Sequence, residues 1–127
     1  MRAMNVVVNL STIGKSRFTF NRDDELIHRE ISSQASSDVL FSLEKELVSL
    51  GAGLKDLRGI GVVMGAGSFT STRAAVTIAN TLAYALRIPV VALPANWTTP
   101  ELLTKLKKAK PGQYVSATYS GEANIGK

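Results

Sequence analysis

A glycine-rich stretch at residues 65–73, GAGSFTSTR, contains the residues best suited to chemistry. It follows an apolar segment and precedes a helical pattern, so the free N–H groups of the helix start could bind a phosphate. The anion-binding turn would then consist of Gly65, Gly67, Ser68 and Thr70. However, the stretch lacks the lysine of a P-loop, and Thr70 stands at the third glycine position of GxGxxG. The pattern alone therefore favours a strand-to-helix turn capped by Ser68 or Thr70, with a phosphate site as the alternative.

The composition argues against several classes of site. The 127 residues contain no cysteine and one histidine, His28, which argues against disulfides, thiolate catalysis and zinc sites. His28 lies on a strand-like segment and is expected to be a surface or edge residue rather than part of an acid–base pair. No apolar run approaches the roughly 18 residues of a membrane span, and the first residues do not resemble a signal peptide. We therefore expect a cytoplasmic protein with no membrane association, no metal and no catalytic residue.

A lysine cluster near the carboxyl end could contact RNA phosphates. Its members, which contribute to the net charge of +5, are Lys105, Lys107, Lys108 and Lys110. No aromatic residue lies between them, although a surface that stacks single-stranded bases would need one. A solvated helix face is therefore favoured over an RNA-binding surface.

The elements that must position these residues follow from hydrophobic spacing. Alternating or β-branched segments predict strands at residues 5–10, 16–20 and 26–31, and turn-forming residues join them into an antiparallel meander. Leucines at helical spacing after Asp38 predict a helix that ends at Gly51. Apolar strands at residues 60–64 and 88–93 flank a second helix from about Thr70 to Leu86, and this alternation indicates parallel pairing.

Together these segments predict an α/β fold. Its mixed five-stranded sheet would contain three antiparallel strands, then two parallel ones, joined by two crossover helices. A third helix is expected from about Pro100 to Lys110, followed by a short strand at residues 114–119. We place a boundary after Trp97, so that residues 1–97 form the main unit and residues 98–127 a separate helix and tail.

Residues 60–89 resemble the TsaB (YeaZ-like) family. That family carries Gly-Pro-Gly-Ser-Phe-Thr-Gly-Leu-Arg between a strand and a helix, and six positions here match: Gly65, Gly67, Ser68, Phe69, Thr70 and Arg73. Leu82-Ala83 and Ile88-Pro89 match as well, and residues 6–12 resemble the family's opening strand. The likeness covers about the first hundred residues.

The resemblance implies the N-terminal, ribonuclease-H-like subdomain of the actin/Hsp70/sugar-kinase fold, with residues 98–127 as the remnant of a truncated second subdomain. TsaB proteins are non-catalytic partners of the TsaD subunit, which acts with the ATPase TsaE to attach threonylcarbamoyl to a tRNA adenosine. The family pairs with TsaD, or with itself, through the first two helices. For this chain the resemblance implies a TsaD-like partner or a homodimer, a TsaE-like ATPase in the same complex, and only indirect contact with tRNA.

Departures from the family bear on catalysis. Asn9 stands where active superfamily members have an aspartate, and an amide is a poorer magnesium ligand than a carboxylate. Ala66, Ser71 and Thr72 replace Pro, Gly and Leu of the hallmark. Most of the second subdomain, which forms half of the superfamily's nucleotide cleft, is not represented. We therefore expect no cofactor requirement, with ATP or ADP bound only at a partner interface. The alternative is a nucleotide- or phosphate-binding enzyme domain that uses Ser11, Thr12 and the Gly65 turn.

Both helices offer candidate partner surfaces. Ala75, Ala79 and Ala83 recur every four residues and would let another backbone approach, although the first helix could cover them instead. Phe41 and Val48 lie off the leucine seam of the first helix. The predicted partner interface comprises Phe41, Lys45, Val48, Arg73, Thr77, Asn80 and Tyr84. In it Arg73 would meet a carboxylate or phosphate of the partner, since a cation in a first turn opposes the helix dipole.

Overall fold

In the computed structural model, segments with alternating or continuous apolar residues form strands, and segments with apolar residues at helical spacing form helices. The model describes residues 3–64 and 69–116, and it describes only the backbone of residues 69 and 70. The strands are β1 (Met4–Asn9), β2 (Ser16–Arg22), β3 (Glu25–Ile31), β4 (Leu57–Val63) and β5 (Val90–Leu93). The helices are α1 (Ser36–Ser49), α2 (Phe69–Leu86) and α3 (Thr99–Lys108), with a short 3-10 turn, Leu54–Asp56, before β4.

The five strands form one sheet in the order β3-β2-β1-β4-β5. β1, β2 and β3 pair antiparallel, whereas β4 pairs parallel to both β1 and β5. The register places Val6 of β1 between Phe20 of β2 and Ile60 of β4. The predicted mixed sheet of three antiparallel and two parallel strands is confirmed.

The main core lies between one face of this sheet and the helices α1 and α2. Side chains from alternate strand positions, such as Val6, Val8 and Phe18, are fully buried there. The predicted small-residue ridge of α2, Ala75, Ala79 and Ala83, is buried within the same core, and its members are at most 1% exposed. The chain itself therefore covers this ridge, and no partner helix can reach it.

A smaller core lies on the opposite face, where α3 packs against β4 and β5. Leu102 of α3 is fully buried in a cluster with Val7, Val63 and Leu93. The Thr98 side chain caps α3 by accepting a hydrogen bond from the Glu101 N–H. The cap and the buried leucine fix α3 across the parallel half of the sheet.

Three lysines of the predicted cluster, Lys105, Lys107 and Lys108, lie in the last turns of α3, and Lys110 follows the helix. Lys105 donates to the carbonyl oxygen of Ala92 on the edge strand β5 at 2.9 Å and pairs with Glu101 at 3.3 Å. Lys107, Lys108 and Lys110 are exposed. The ammonium on the Ala92 carbonyl gives Lys105 a structural role, because it caps a polar group at a sheet edge.

Several boundaries differ from those predicted. β5 begins at Val90 rather than Ile88, and Pro89 immediately before it has no N–H to donate to a ladder. The N-cap of α1 is Ala35, whose side chain makes no capping hydrogen bond. Residues 114–116 belong to no strand, and the remainder of the predicted last strand lies outside the described residues. Within residues 3–64 and 69–116, no helix has the length and apolar character needed to cross a membrane. The domain boundary after Trp97 stays a prediction.

Replacing Gly61 with alanine should destabilise the fold. A Cβ atom on Gly61 would lie 2.6 Å from Leu93 Cδ1 and 3.2 Å from Leu102 Cδ1, and both leucines are buried. Because overpacking a filled core typically costs about 1–3 kcal/mol, we expect a loss of that size in the free energy of unfolding, measured in urea. Gly53→Ala is the matched control, since nothing lies within 4 Å of its added Cβ. Equal stabilities of the two variants would contradict this packing.

Candidate functional site

The outer face of α1 presents two large apolar side chains to solvent. Phe41 is 68% exposed and Val48 is 66% exposed, although the same helix buries Val39 and Leu43 completely. Residues seven apart lie on one face of a helix, and the exposed Lys45 lies between them. The sequence prediction that Phe41 and Val48 lie off the buried seam is confirmed, whereas their role in partner binding stays a prediction.

The outer face of α2 continues this surface, since both helices pack on the same side of the sheet. Tyr84 is 74% exposed, and Arg73 and Thr77 are exposed as well. Thr77, Asn80 and Tyr84 follow one another at helical spacing and therefore share a face. The two helices together provide an aromatic and polar surface on the outside of the main core. We call it the α1–α2 face.

Asn80 differs from the other predicted interface residues because its side chain is already bonded. Its Nδ2 donates to the carbonyl oxygen of Val115 at 2.8 Å, and its Oδ1 accepts from the Val115 N–H at 3.1 Å. An open groove of about 360 Å³ beside this contact is lined by Asn80, Thr81, Tyr84 and Tyr114. Residues of the chain's own C-terminal part thus lie on α2 where a partner was predicted.

The end of β1, where the superfamily aspartate would stand, is held by side-chain hydrogen bonds. The Asn9 Oδ1 accepts from the Ser11 N–H at 2.8 Å. The Gln34 Nε2 lies within hydrogen-bond distance of three carbonyl oxygens of the β1–β2 loop, those of Leu10, Thr12 and Lys15, at 3.0, 2.9 and 2.8 Å. Ser71 of α2 donates to the Gln34 Oε1 at 3.3 Å.

Gln34 thus links the β1–β2 loop, the segment that leads into α1 and the first turns of α2. Three of the loop's carbonyl groups point towards the same amide nitrogen, and a phosphate would require N–H groups instead. Sequence reasoning missed Gln34, because a single glutamine in a serine-rich linker carries no periodic or motif signal.

A second groove lies on the open face of the sheet beside the start of α3. It has a volume of about 590 Å³, and its lining includes Asn9, Arg17, His28 and Trp97. His28 is exposed on the edge strand β3, as predicted, and its Nδ1 lies 2.9 Å from Thr19 Oγ1. Trp97 is half-buried and packs against the smaller core, consistent with a cover over the end of that core.

The charges near this groove are paired. Glu30 lies 3.1 Å from Arg17 and 3.4 Å from Lys15. Hydrogen bonds from Arg17 and then Lys15 hold the pKa of the Glu30 carboxyl below its ordinary value. These ion pairs are solvent-exposed, so they orient side chains at the groove more than they stabilise the fold.

The predicted phosphate turn and the predicted metal-free character concern residues from β4 to the first turn of α2 and the acidic side chains of the chain. Gly65, Gly67 and Ser68 lie outside the described residues, as does the side chain of Thr70. The part of the chain that the structure describes holds no group of three or more His, Cys, Asp or Glu side chains suited to a metal ion.

Most of the sheet and both crossover helices lie in a segment that matches a known protein family. The family model described as TsaD, tRNA N6-adenosine threonylcarbamoyltransferase, matches residues 25–95, more than half of the chain. The chain belongs to this family. The match includes β3, α1, β4, α2 and β5, and therefore both helices of the α1–α2 face. A search of curated proteins finds no match.

Solved structures with a similar fold confirm the α/β fold expected for this chain. Two of them are an uncharacterized protein with similarity to peptidase YEAZ from Pseudomonas aeruginosa and YeaZ from Pseudomonas aeruginosa. Each has a TM-score of 0.63 at 21% identity over 72% of this chain. The chain covers 43% and 44% of these two structures, less than half of their length. The fold that the resemblance to the TsaB (YeaZ-like) family implied is thereby confirmed.

Substitution of Gln34 should destabilise the end of β1. We expect Gln34→Ala to lower the free energy of unfolding by about 1 kcal/mol, because the loop carbonyls lose a shared donor and the bond to Leu10 is part-buried. Gln34→Glu should cost more, since a carboxylate would face carbonyl oxygens with no proton to donate. Chemical denaturation measures both effects.

Gln113→Ala is the matched control, because it also removes a glutamine side chain. The Gln113 side chain accepts an exposed hydrogen bond from the Lys110 N–H, so this variant should keep wild-type stability. Wild-type stability of Gln34→Glu would show that the amide does not hold the loop.

Proposed function

We propose that this chain is a non-catalytic interaction module of a complex that attaches threonylcarbamoyl to tRNA adenosine. It binds a TsaD-like subunit, or a second copy of itself, through the α1–α2 face. The observation that carries the proposal is the exposure of Phe41, Val48 and Tyr84 on two adjacent helices whose inner faces are fully used by the core. Large apolar side chains grouped on a surface are typical of interaction sites.

The distribution of these residues supports a two-helix interface. Stable interfaces bury about 800 Å² on each partner, which is more than the outer face of one short helix offers. Aromatic side chains such as Phe41 and Tyr84 are among the residue types that contribute most to binding. Lys45, Arg73 and Thr77 provide a polar rim around them. Two helices packing on α1 and α2 would form a four-helix interface with the geometry of a bundle.

The hydrogen bonds at the end of β1 support a non-catalytic role. Asn9 offers an amide where a magnesium ligand would be a carboxylate, and its oxygen accepts from the Ser11 N–H. The neighbouring loop directs carbonyl groups to Gln34 rather than N–H groups to an anion. We therefore propose that the chain needs no cofactor of its own and that ATP or ADP binds only where a partner completes a site.

The same proposal covers the chain's wider setting. A TsaE-like ATPase would join the complex, tRNA would contact the chain only through its partner, and the complex would act in the cytoplasm. These statements rest on family membership and on the resemblance to TsaB.

Replacing Phe41 with aspartate should weaken binding without unfolding the protein. Truncated aromatic anchors commonly cost about 2 kcal/mol or more at interfaces, so we expect the Kd for a TsaD-like subunit or for self-association to rise roughly 30-fold. Light scattering coupled to size-exclusion chromatography, alone and with the TsaD-like subunit, measures the assembly. The melting temperature should change little because Phe41 is mostly exposed.

The matched control is Ile13→Asp, which also places a charge at an exposed apolar residue, 90% exposed, but in the β1–β2 loop. This variant should bind as the wild type does. Wild-type binding by Phe41→Asp, or a wild-type chain that stays monomeric and ignores a TsaD-like subunit, would refute the interface.

A second candidate function is favoured by the groove on the open sheet face. A nucleotide- or phosphate-binding enzyme domain could use its volume of about 590 Å³, with Arg17 for an anion and Trp97 for a planar group. Calorimetric titration of the isolated chain with ATP and magnesium separates the two functions. We expect no tight binding, and micromolar affinity for ATP would favour the enzyme domain instead.

A further inference from the structure

The segment of residues 113–116, here called the strap, lies on α2 next to the residues proposed to bind a partner. It follows α3, which packs on the opposite face of the sheet, so the chain passes from one face to the other before reaching α2. Val115 is partly buried and packs against the main core, whereas Tyr114 is 48% exposed. The strap therefore has one apolar anchor and one exposed aromatic side chain.

The contact with Asn80 uses both polar groups of that side chain. An amide side chain has one carbonyl and one NH2 group, and here they pair with the N–H and the carbonyl of the same residue, Val115. Such a pair resembles one rung of a β-ladder. As long as it is formed, the face of Asn80 that lies under the strap is closed to another protein.

The strap also occupies the space that a partner helix would need. Packed helices have axes about 8–10 Å apart, which leaves no room for a third segment between them. A helix lying across Thr77, Asn80 and Tyr84 would meet the strap at Asn80 and Tyr114. Partner binding along the whole α2 stripe and the strap position seen here are therefore mutually exclusive.

We infer that the strap is an autoinhibitory cover, held by the Asn80–Val115 pair, that must leave α2 before the partner proposed above can bind there. This inference rests on the proposed function, because it assumes that the α1–α2 face binds a partner. The apparent affinity then equals the intrinsic affinity multiplied by the fraction of molecules in which the strap is released. The exposed Phe41 and Val48 on α1 remain accessible in both states.

The variant Val115→Pro tests the cover without changing α2. Proline removes the N–H that donates to the Asn80 Oδ1 and the apolar side chain that anchors the strap. We expect the Kd for self-association or for a TsaD-like subunit to fall about tenfold, equivalent to about 1.4 kcal/mol. Val115→Ile, which keeps the N–H and an apolar side chain, is the control and should bind as the wild type does.

A second measurement follows the cover in the isolated chain. Hydrogen exchange of the Asn80 side-chain amide, observed by NMR, should be faster in Val115→Pro than in the wild type and in Val115→Ile. Unchanged exchange of that amide would overturn the inference, because the pair would not be holding the strap.

The outcomes separate this inference from the proposed function. If Val115→Pro binds more tightly than the wild type and Val115→Ile does not, both the cover and the partner interface are supported. The same holds if Val115→Pro is the one variant that binds. Equal or weaker binding by Val115→Pro, with a wild-type chain that does bind, overturns the cover and leaves the partner interface standing. Absence of binding in the wild type, in Val115→Pro and in Val115→Ile overturns both.

Discussion

The burial of one sheet face by α1 and α2 is the interaction on which the rest of the molecule depends. Parallel pairing of β1, β4 and β5 requires crossover helices, and both pack on the same side, over Val6, Val8 and Ile60. The inner side chains of both helices, such as Leu43 and Ala79, are fully buried against the sheet. What the helices offer to another protein is therefore limited to their outer faces. The fold thus determines where an interface can be before any partner is considered.

The predictions from sequence were correct where the spacing of apolar residues depends directly on which side chains are buried. Alternation in β2 and the apolar run of β4 located the strands, and the i, i+7 spacing of Phe41 and Val48 outside the leucine seam placed them on the surface. The alanine ridge of α2 shows the limit of this reasoning. Small residues every four positions indicate close packing, but they do not say against what. Here the close neighbours are in the chain's own core, where Ala79 is fully buried.

Contacts between polar side chains and distant backbone were not predictable. Gln34 bonds carbonyl groups 19 to 24 residues away, and Asn80 pairs with a residue 35 positions further along the chain. Such bonds depend on how loops meet after the sheet has formed, and hydrophobic spacing carries no information about them. Both contacts lie at places where function was expected, the end of β1 and the outside of α2. The sequence therefore identified the regions but not what occupies them.

These two contacts have a common consequence for how the chain can act. A polar side chain that pairs with backbone cannot serve a ligand until that pairing is broken, since an unpaired buried group is costly. At the end of β1 the pairing joins three elements through Gln34, so breaking it would disturb the core framework itself. At Asn80 it joins α2 to one segment that follows α3, so its opening would leave the pairing of the sheet unchanged. Under the function proposed above, the chain would keep its hydrogen bonds at the end of β1 and break only the Asn80–Val115 pair when a partner binds.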